Sequence, residues 1–159
     1  MRSFGILMAG LIAGAAIQSA FAQEKHFIAL NHVAIAVDDY EAASKFYSDT
    51  MGLPVAFSFK ESDGSPYLTY FQVNRETFIE LMPATASRPK GFVHFGLQVA
   101  DVDATVNRLR ARGMQVRDPS VSPRTKSRIA TATTPQGTAI EIMEFGPDSL
   151  HRKVIDAWK

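Results

Sequence analysis

The sequence predicts an α+β fold built from one βαβββ unit used twice. Three observations predict it: a long-period repeat, strand segments whose apolar residues alternate with period two, and an Asp-led helical segment after the first strand of each repeat. The repeat is found by placing NHVAIAVDDYEAA, from Asn31, over VHFGLQVADVDAT, from Val93. This pairs His32 with His94, Val37 with Val99, Asp39 with Asp101 and Ala42 with Ala104. Further on, Gly52 of MGLPV pairs with Gly113 of RGMQV, and FIELM pairs with AIEIM, which sets Glu80 against Glu141. His94 follows His32 by 62 residues and Glu141 follows Glu80 by 61, so the units differ by a one-residue slip inside the helix.

Each element follows in order. The first module spans about 27–84 and opens on a strand over 27–37. Asp39 is the N-cap of its helix, because a short carboxylate accepts from the orphan N–H groups of a first turn. Gly52 closes that helix, since glycine takes the left-handed conformation that ends helices. The helix offers Ala42, Ala43, Phe46 and Tyr47 for packing. Strands follow over about 55–60, 67–74 and 77–82, with SDGSP as a turn between the first two. The segment 85–91, TASRPKG, links the modules. The second module spans about 91–146, with a strand over 92–99, a helix capped by Asp101 and closed by Gly113, a short strand over 115–117, and strands over 128–133 and 138–145 joined by TPQG. Val102, Val106 and Leu109 form one stripe on that helix. Residues 148–159 read as a C-terminal amphipathic helix with Leu150, Val154 and Trp158 on one stripe, packing on the domain or on a second subunit.

The chain's 159 residues suffice for one domain with its own core, expected over 23–159. Residues 1–22 are set apart as a signal peptide. Arg2 precedes an apolar run over 4–17, and Ala20-Phe21-Ala22 forms a small-x-small cleavage site. The run is shorter than the ~20 residues of a membrane span. The expectation is therefore a secreted or periplasmic protein starting at Gln23, with no membrane association after cleavage. Loss of Arg2 takes the formal charge from +1 to 0, a balance that does not point to nucleic acid. The absence of cysteine excludes disulfides, thiolate metal sites and a cysteine nucleophile.

Strand parity locates the chemistry. His32 shares a face with Ala34 and Ala36, and His94 shares one with Gly96 and Gln98. Glu80 lies between Phe78 and Met82, and Glu141 between Ala139 and Met143. Each strand thus has one large apolar face, suited to packing against a helix, and one face bearing an acid or imidazole that suits a cavity wall. Buried carboxylates are costly unless paired or bound to a cation. Two imidazoles and two carboxylates form an N₂O₂ set suited to one Zn²⁺, Fe²⁺, Mn²⁺, Co²⁺ or Ni²⁺ ion. Two metal-free His–Glu pairs, one per module, are the alternative.

At LNHVAIAVDDYEAASKFYSDTMGLP, FIELMP, FVHFGLQVADVDATVNRLRARG and TPQGTAIEIMEF the sequence resembles the vicinal oxygen chelate superfamily, which includes glyoxalase I, methylmalonyl-CoA epimerase, extradiol dioxygenases and bleomycin-resistance proteins. The resemblance covers about 30–145. It implies a cupped mixed sheet with helices on the outer face, and a site completed within one chain or between two copies in a homodimer. It implies metal ligands at His32, Glu80, His94 and Glu141, with Glu141 as base and ligand and Glu80 as its partner across the substrate. The full quartet favours the glyoxalase-like lyase and isomerase branch, in which a divalent ion and a carboxylate base convert a small vicinal-oxygen, hydroxy-carbonyl type substrate through an enediolate. An Fe(II) extradiol-type dioxygenase using His32, His94 and Glu141, or a metal-free small-molecule binding module, are the alternatives.

Other residues receive weaker readings. Gln98 orients a substrate oxygen or is a surface polar residue. His26 and His151 read as solvated surface, and Tyr67 and Tyr70 as strand packing or as the acid–base group that ring cleavage would need. Arg124, Lys126 and Arg128 of PRTKSR read as a solvated basic loop, or as an anion-holding loop if they lie near a cavity mouth.

Overall fold

A computed structural model describes residues 26–159; the signal-peptide segment lies outside the described residues. The elements are β1 (Phe27–Val37), α1 (Tyr40–Lys45) with a π-helical continuation (Phe46–Thr50), β2 (Val55–Lys60), β3 (Pro66–Gln72), β4 (Phe78–Pro83), β5 (Gly91–Val99), α2 (Val102–Ala111), β6 (Ser120–Val121), β7 (Arg128–Thr133), β8 (Ala139–Glu144) and α3 (Leu150–Ala157). The predicted βαβββ pattern is present twice. The eight strands form one mixed sheet in the order β2-β3-β4-β1-β5-β8-β7-β6. The opening strand of each module joins its closing strand in parallel, β1 to β4 and β5 to β8, and β1 meets β5 antiparallel at the centre.

The helix starts follow from the capping acids. Asp39 accepts from the Ala42 N–H at 2.9 Å and Asp101 from the Ala104 N–H at 2.9 Å. Gly52 and Gly113 take φ of 69° and 86°, as the helix-closing role requires. Between Asp39 and Gly52 the chain does not hold one α-helix, because its last turns widen into the π-helical segment.

One expected strand moves. The segment 115–117 forms a single bridge, Val116 to Ala132, and the edge strand lies instead at Ser120–Val121. Pro119 lies between them and has no N–H for a ladder, so pairing stops and restarts beyond it.

Two helices cover the outer face. Val102 and Val106 of α2 pack with Val99, Ile140 and Ile142. Tyr40 of α1 donates to Thr69 Oγ1 at 2.6 Å, and Tyr47 meets the ring of Phe71. The third helix packs on the domain itself, on the other face of the sheet. Ile155 and Val154 of α3 pack with Ala34, Tyr70, Phe78 and Met82, which share the face that carries the histidines and glutamates. The buried residues of α3 are His151 and Ile155, with Leu150 and Val154 half-buried, and Trp158, expected on the packed stripe, lies past the helix end, 39% exposed.

His151 overturns its surface reading, being 0% exposed. It stacks on Phe145 and stands edge-on to Phe57, Tyr70 and Phe78. Its Nδ1 pairs with Ser127 Oγ at 3.0 Å. Burial lowers its pKa to about 3, so the ring is neutral and acts as an aromatic core residue. α3 thus fills part of the cup beside the candidate site.

Candidate metal centre

The central strands β4-β1-β5-β8 set the candidate residues in two adjacent rows. One row reads Glu80, Ala34, His94, Ala139, and the next reads Phe78, His32, Gly96, Glu141. Each imidazole therefore has a small residue beside it, Ala34 next to His94 and Gly96 next to His32. The glutamates approach from opposite flanking strands, β4 and β8. The small residues give the larger ones room to converge. At Gly96 this is demonstrable, because a Cβ there would overlap the His32 ring atoms Cε1 and Nδ1.

The convergence is close. His32 Nε2 lies 3.0 Å from His94 Nε2. Glu80 Oε2 lies 3.4 Å from His32 Nε2 and 3.1 Å from His94 Nε2. Glu141 Oε2 lies 3.8 Å from each. Each glutamate faces both histidines, so the arrangement is one four-residue cluster rather than two separate His–Glu pairs. The ligand atoms of His32, His94 and Glu141 all lie within 4.8 Å of one another. All four side chains belong to one chain.

A buried amide sets the tautomer of His32. Asn31, 0% exposed, donates through Nδ2 to the Glu76 carbonyl at 3.0 Å and presents Oδ1 to His32 Nδ1 at 3.1 Å. An amide oxygen only accepts, so His32 Nδ1 carries the proton and Nε2 turns its lone pair to the cluster. Burial, followed by the neighbouring imidazoles His94 and His151, holds His32 well below its ordinary pKa. It is a neutral imidazole, the form that binds a metal. Sequence reasoning missed Asn31, although its place directly before His32 in NHVAIAV was the available signal.

The remaining groups carry unbalanced charge. Burial lowers His94, but contact with Glu80 and the charges of Glu141 and Glu80 outweigh it against a small opposition from Arg88, leaving the pKa raised. Burial pushes Glu141 up to about 7; nearby His94 opposes this and Glu80 adds to it. Glu80 is 4% exposed, and its Oε2, though near both imidazoles, makes no directed hydrogen bond among the described residues. Tyr70, pressed edge-on to His32, is raised well above its usual pKa by burial and by the charges of Glu80 and Glu141. A cation would answer these features together, by compensating both carboxylates and occupying the lone pair of His32. The 3.0 Å between the imidazole nitrogens also suits two cis donors each about 2.1 Å from one ion. The residues fit a divalent metal.

Glu80 and Glu141 open on a cavity of about 170 Å³, which Tyr67, Tyr70, Arg124 and Ile129 also line. Larger hollows of about 410 Å³ and 320 Å³ lie elsewhere and include none of the four cluster residues. Gln98 lies two positions beyond Gly96, beside Met143 of β8, and its buried Oε1 has no partner among the described residues. His26, just before β1, is not in the cluster.

Comparison with known proteins agrees with this architecture. Residues 29–142 match the model of the Glyoxalase/Bleomycin resistance protein/Dioxygenase superfamily, and the chain belongs to that family. It is 31% identical over 124 residues to a probable chloroplastic lactoylglutathione lyase of Arabidopsis thaliana, covering 73% of this chain and only 35% of that protein. It is 28% identical over 123 residues to the uncharacterized protein YwkD of Bacillus subtilis (strain 168), covering 72% of this chain and 95% of that protein. Among solved structures, it is similar to methylmalonyl-CoA epimerase from Mycobacterium tuberculosis, with a TM-score of 0.66, 25% identity, and coverage of 80% of this chain and 94% of that chain. The Streptomyces coelicolor epimerase bound to 2-nitronate-propionyl-CoA shares the fold at 22% identity and a TM-score of 0.65, with coverage of 77% and 98%. The comparisons support a glyoxalase-like lyase or isomerase in general terms.

Gly96 gives a direct check on the site's packing. Gly96→Ala must displace the His32 ring or the strand beneath it, which is expected to cost about 1–3 kcal/mol of stability. Chemical denaturation measures this, and an unchanged stability would contradict the close approach.

Proposed function

We propose that the protein is a metal-dependent lyase or isomerase that moves a proton at a carbon beside a carbonyl, in a small substrate with two neighbouring oxygens. The observation carrying this reading is the cluster itself: two imidazoles on the central strands, with buried Glu80 on one side and half-buried Glu141 on the other. His32, Glu80, His94 and Glu141 would hold one divalent ion, of the Zn, Ni, Mn, Co or Fe group. When bound, such an ion favours negative charge developing on two neighbouring substrate oxygens.

The protein's own groups supply the rest. His32 stays neutral and oriented through Asn31. Glu141, whose proton affinity burial has raised, takes the proton from carbon as general base. Glu80, on the opposite strand and beside Tyr70 across the β3–β4 ladder, returns or holds a proton on the other side. The probable lactoylglutathione lyase and the methylmalonyl-CoA epimerases support this class of chemistry. The succession in sequence of Arg2, an apolar run and Ala20-Phe21-Ala22 supports action after export. Protein from the native envelope then has an intact mass starting at Gln23; a dominant full-length species would count against export.

A second reading has one specific observation in its favour. The donor group of His32, His94 and Glu141, whose ligand atoms lie within 4.8 Å of one another, is a two-His, one-carboxylate set of the kind used by Fe(II) oxygenases. Turnover of α-hydroxy carbonyl and catechol panels, in air and without oxygen, separates the two. For a lyase or isomerase, Glu141→Gln lowers kcat by about 10²–10⁴-fold, because the amide keeps the shape but cannot take a proton. Glu80→Gln also lowers rate or metal affinity, and oxygen is not required. Oxygen-dependent ring cleavage that survives Glu80→Gln would overturn the proposal.

A further inference from the structure

The loop between β6 and β7 reaches the same cavity as the two glutamates. Arg124 lines that cavity together with Ser122 and Thr125. Its guanidinium carbon lies 3.6 Å from the centroid of the Tyr67 ring, so the side chain lies on the face of a residue from the opposite module. Nη2 donates to Glu61 at 3.1 Å and Nη1 approaches the Lys60 carbonyl at 3.4 Å. A guanidinium has five N–H donors, so these contacts leave others for a ligand.

The loop that carries Arg124 is built rather than slack. Ser122 N–H donates to the Ser127 carbonyl at 2.8 Å and Lys126 N–H to the Ser122 carbonyl at 3.0 Å. Leu150 N–H, at the start of α3, donates to the Thr125 carbonyl at 2.9 Å. Within this frame Lys126 is held at φ 59°, the left-handed region that a lysine seldom adopts, and such strain persists only where surrounding structure fixes it. Residues from both modules and α3 therefore set one cation at the wall of a cavity whose other charged groups are the two glutamates.

We propose that Arg124 is the substrate-anchoring residue of this site, and that the substrate carries an anionic carboxylate or phosphate a few bonds from its two neighbouring oxygens. The inference rests on the metal-dependent reading above and names the substrate class for it. A cavity of about 170 Å³ is below the ~300–1,000 Å³ typical of drug-sized ligands, so the portion of substrate enclosed is short. Its charged end, facing Arg124, must be opposite in sign to the guanidinium. Glu61 occupies part of that guanidinium in the meantime, and a bound anion competes with it.

The test uses two probes differing only at that end: the monohydroxamate of succinate, whose hydroxamate supplies two neighbouring oxygens, and its neutral terminal amide. Both are titrated calorimetrically into Mn²⁺-loaded and metal-stripped protein. The wild type is expected to bind the carboxylate probe about tenfold or more tightly than the amide, as a charge-assisted contact provides. Arg124→Gln should bind the two equally, and Glu61→Gln, which removes the competing carboxylate, should widen the wild-type preference. The second variant leaves Arg124 in place, so it tests the anchor even if Arg124→Gln folds poorly. No preference in the wild type, a preference retained in Arg124→Gln, or no binding of either probe would overturn the anchor. A preference that depends on Arg124 while metal removal leaves both affinities unchanged would keep the anchor and instead remove the metal-dependent reading.

Discussion

The structure turns on the burial of two carboxylates in the same small space. Glu80 is almost wholly enclosed, and Glu141 is buried deeply enough to raise its proton affinity. Transfer of an ionised carboxylate out of water costs several kcal/mol even after relaxation, and a second carboxylate nearby adds repulsion. Proton sharing with His94 answers this only in part, since His32 is neutral and one Glu80 oxygen lacks a directed hydrogen bond. A divalent cation held by these side chains would remove the conflict.

The fold creates this arrangement by placing two copies of one unit about a central antiparallel pair. Because β1 and β5 run in opposite directions, His32 lies across from Gly96 and His94 across from Ala34. Each parallel closing strand then sets its glutamate on the outer side of one of those rows. The copies are not equivalent. Phe78 occupies the position corresponding to Ala139, and the first module's side of the cup is filled by α3 and the aromatic ring set around His151. The second module's side bears the Arg124 loop. This asymmetry distinguishes the two glutamates: Glu80 lies beside Tyr70 in the more enclosed half, while Glu141 is the less covered of the two, with a side chain 23% exposed against 5%.

Much of this was legible in the sequence because local rules govern it. Period-two alternation gave the common face of His32, His94, Glu80 and Glu141, and the Asp caps with closing glycines bounded the helices. The parts that were not legible depend on contacts between distant segments. His151 looks like a polar surface residue next to Arg152 and Lys153, yet α3 turns it onto Phe145 and Tyr70. Gly96 reads as a weak point in a strand until the His32 ring is seen against it. Arg124 reads as one basic residue among three, and only the curl of the sheet brings it to Tyr67 and Glu61. Edge strand β6 was misplaced because bridge formation at Val116 and the break at Pro119 depend on β7.

The most direct measurement of the central claim is the metal content of purified protein, by elemental analysis, for the wild type and for a His32→Ala/His94→Ala double variant that remains folded by circular dichroism. The account predicts near-stoichiometric divalent metal in the wild type and little in the double variant. Full metal content in the folded double variant, or none in a wild type supplied with Zn²⁺, Mn²⁺, Co²⁺, Ni²⁺ or Fe²⁺, would contradict it.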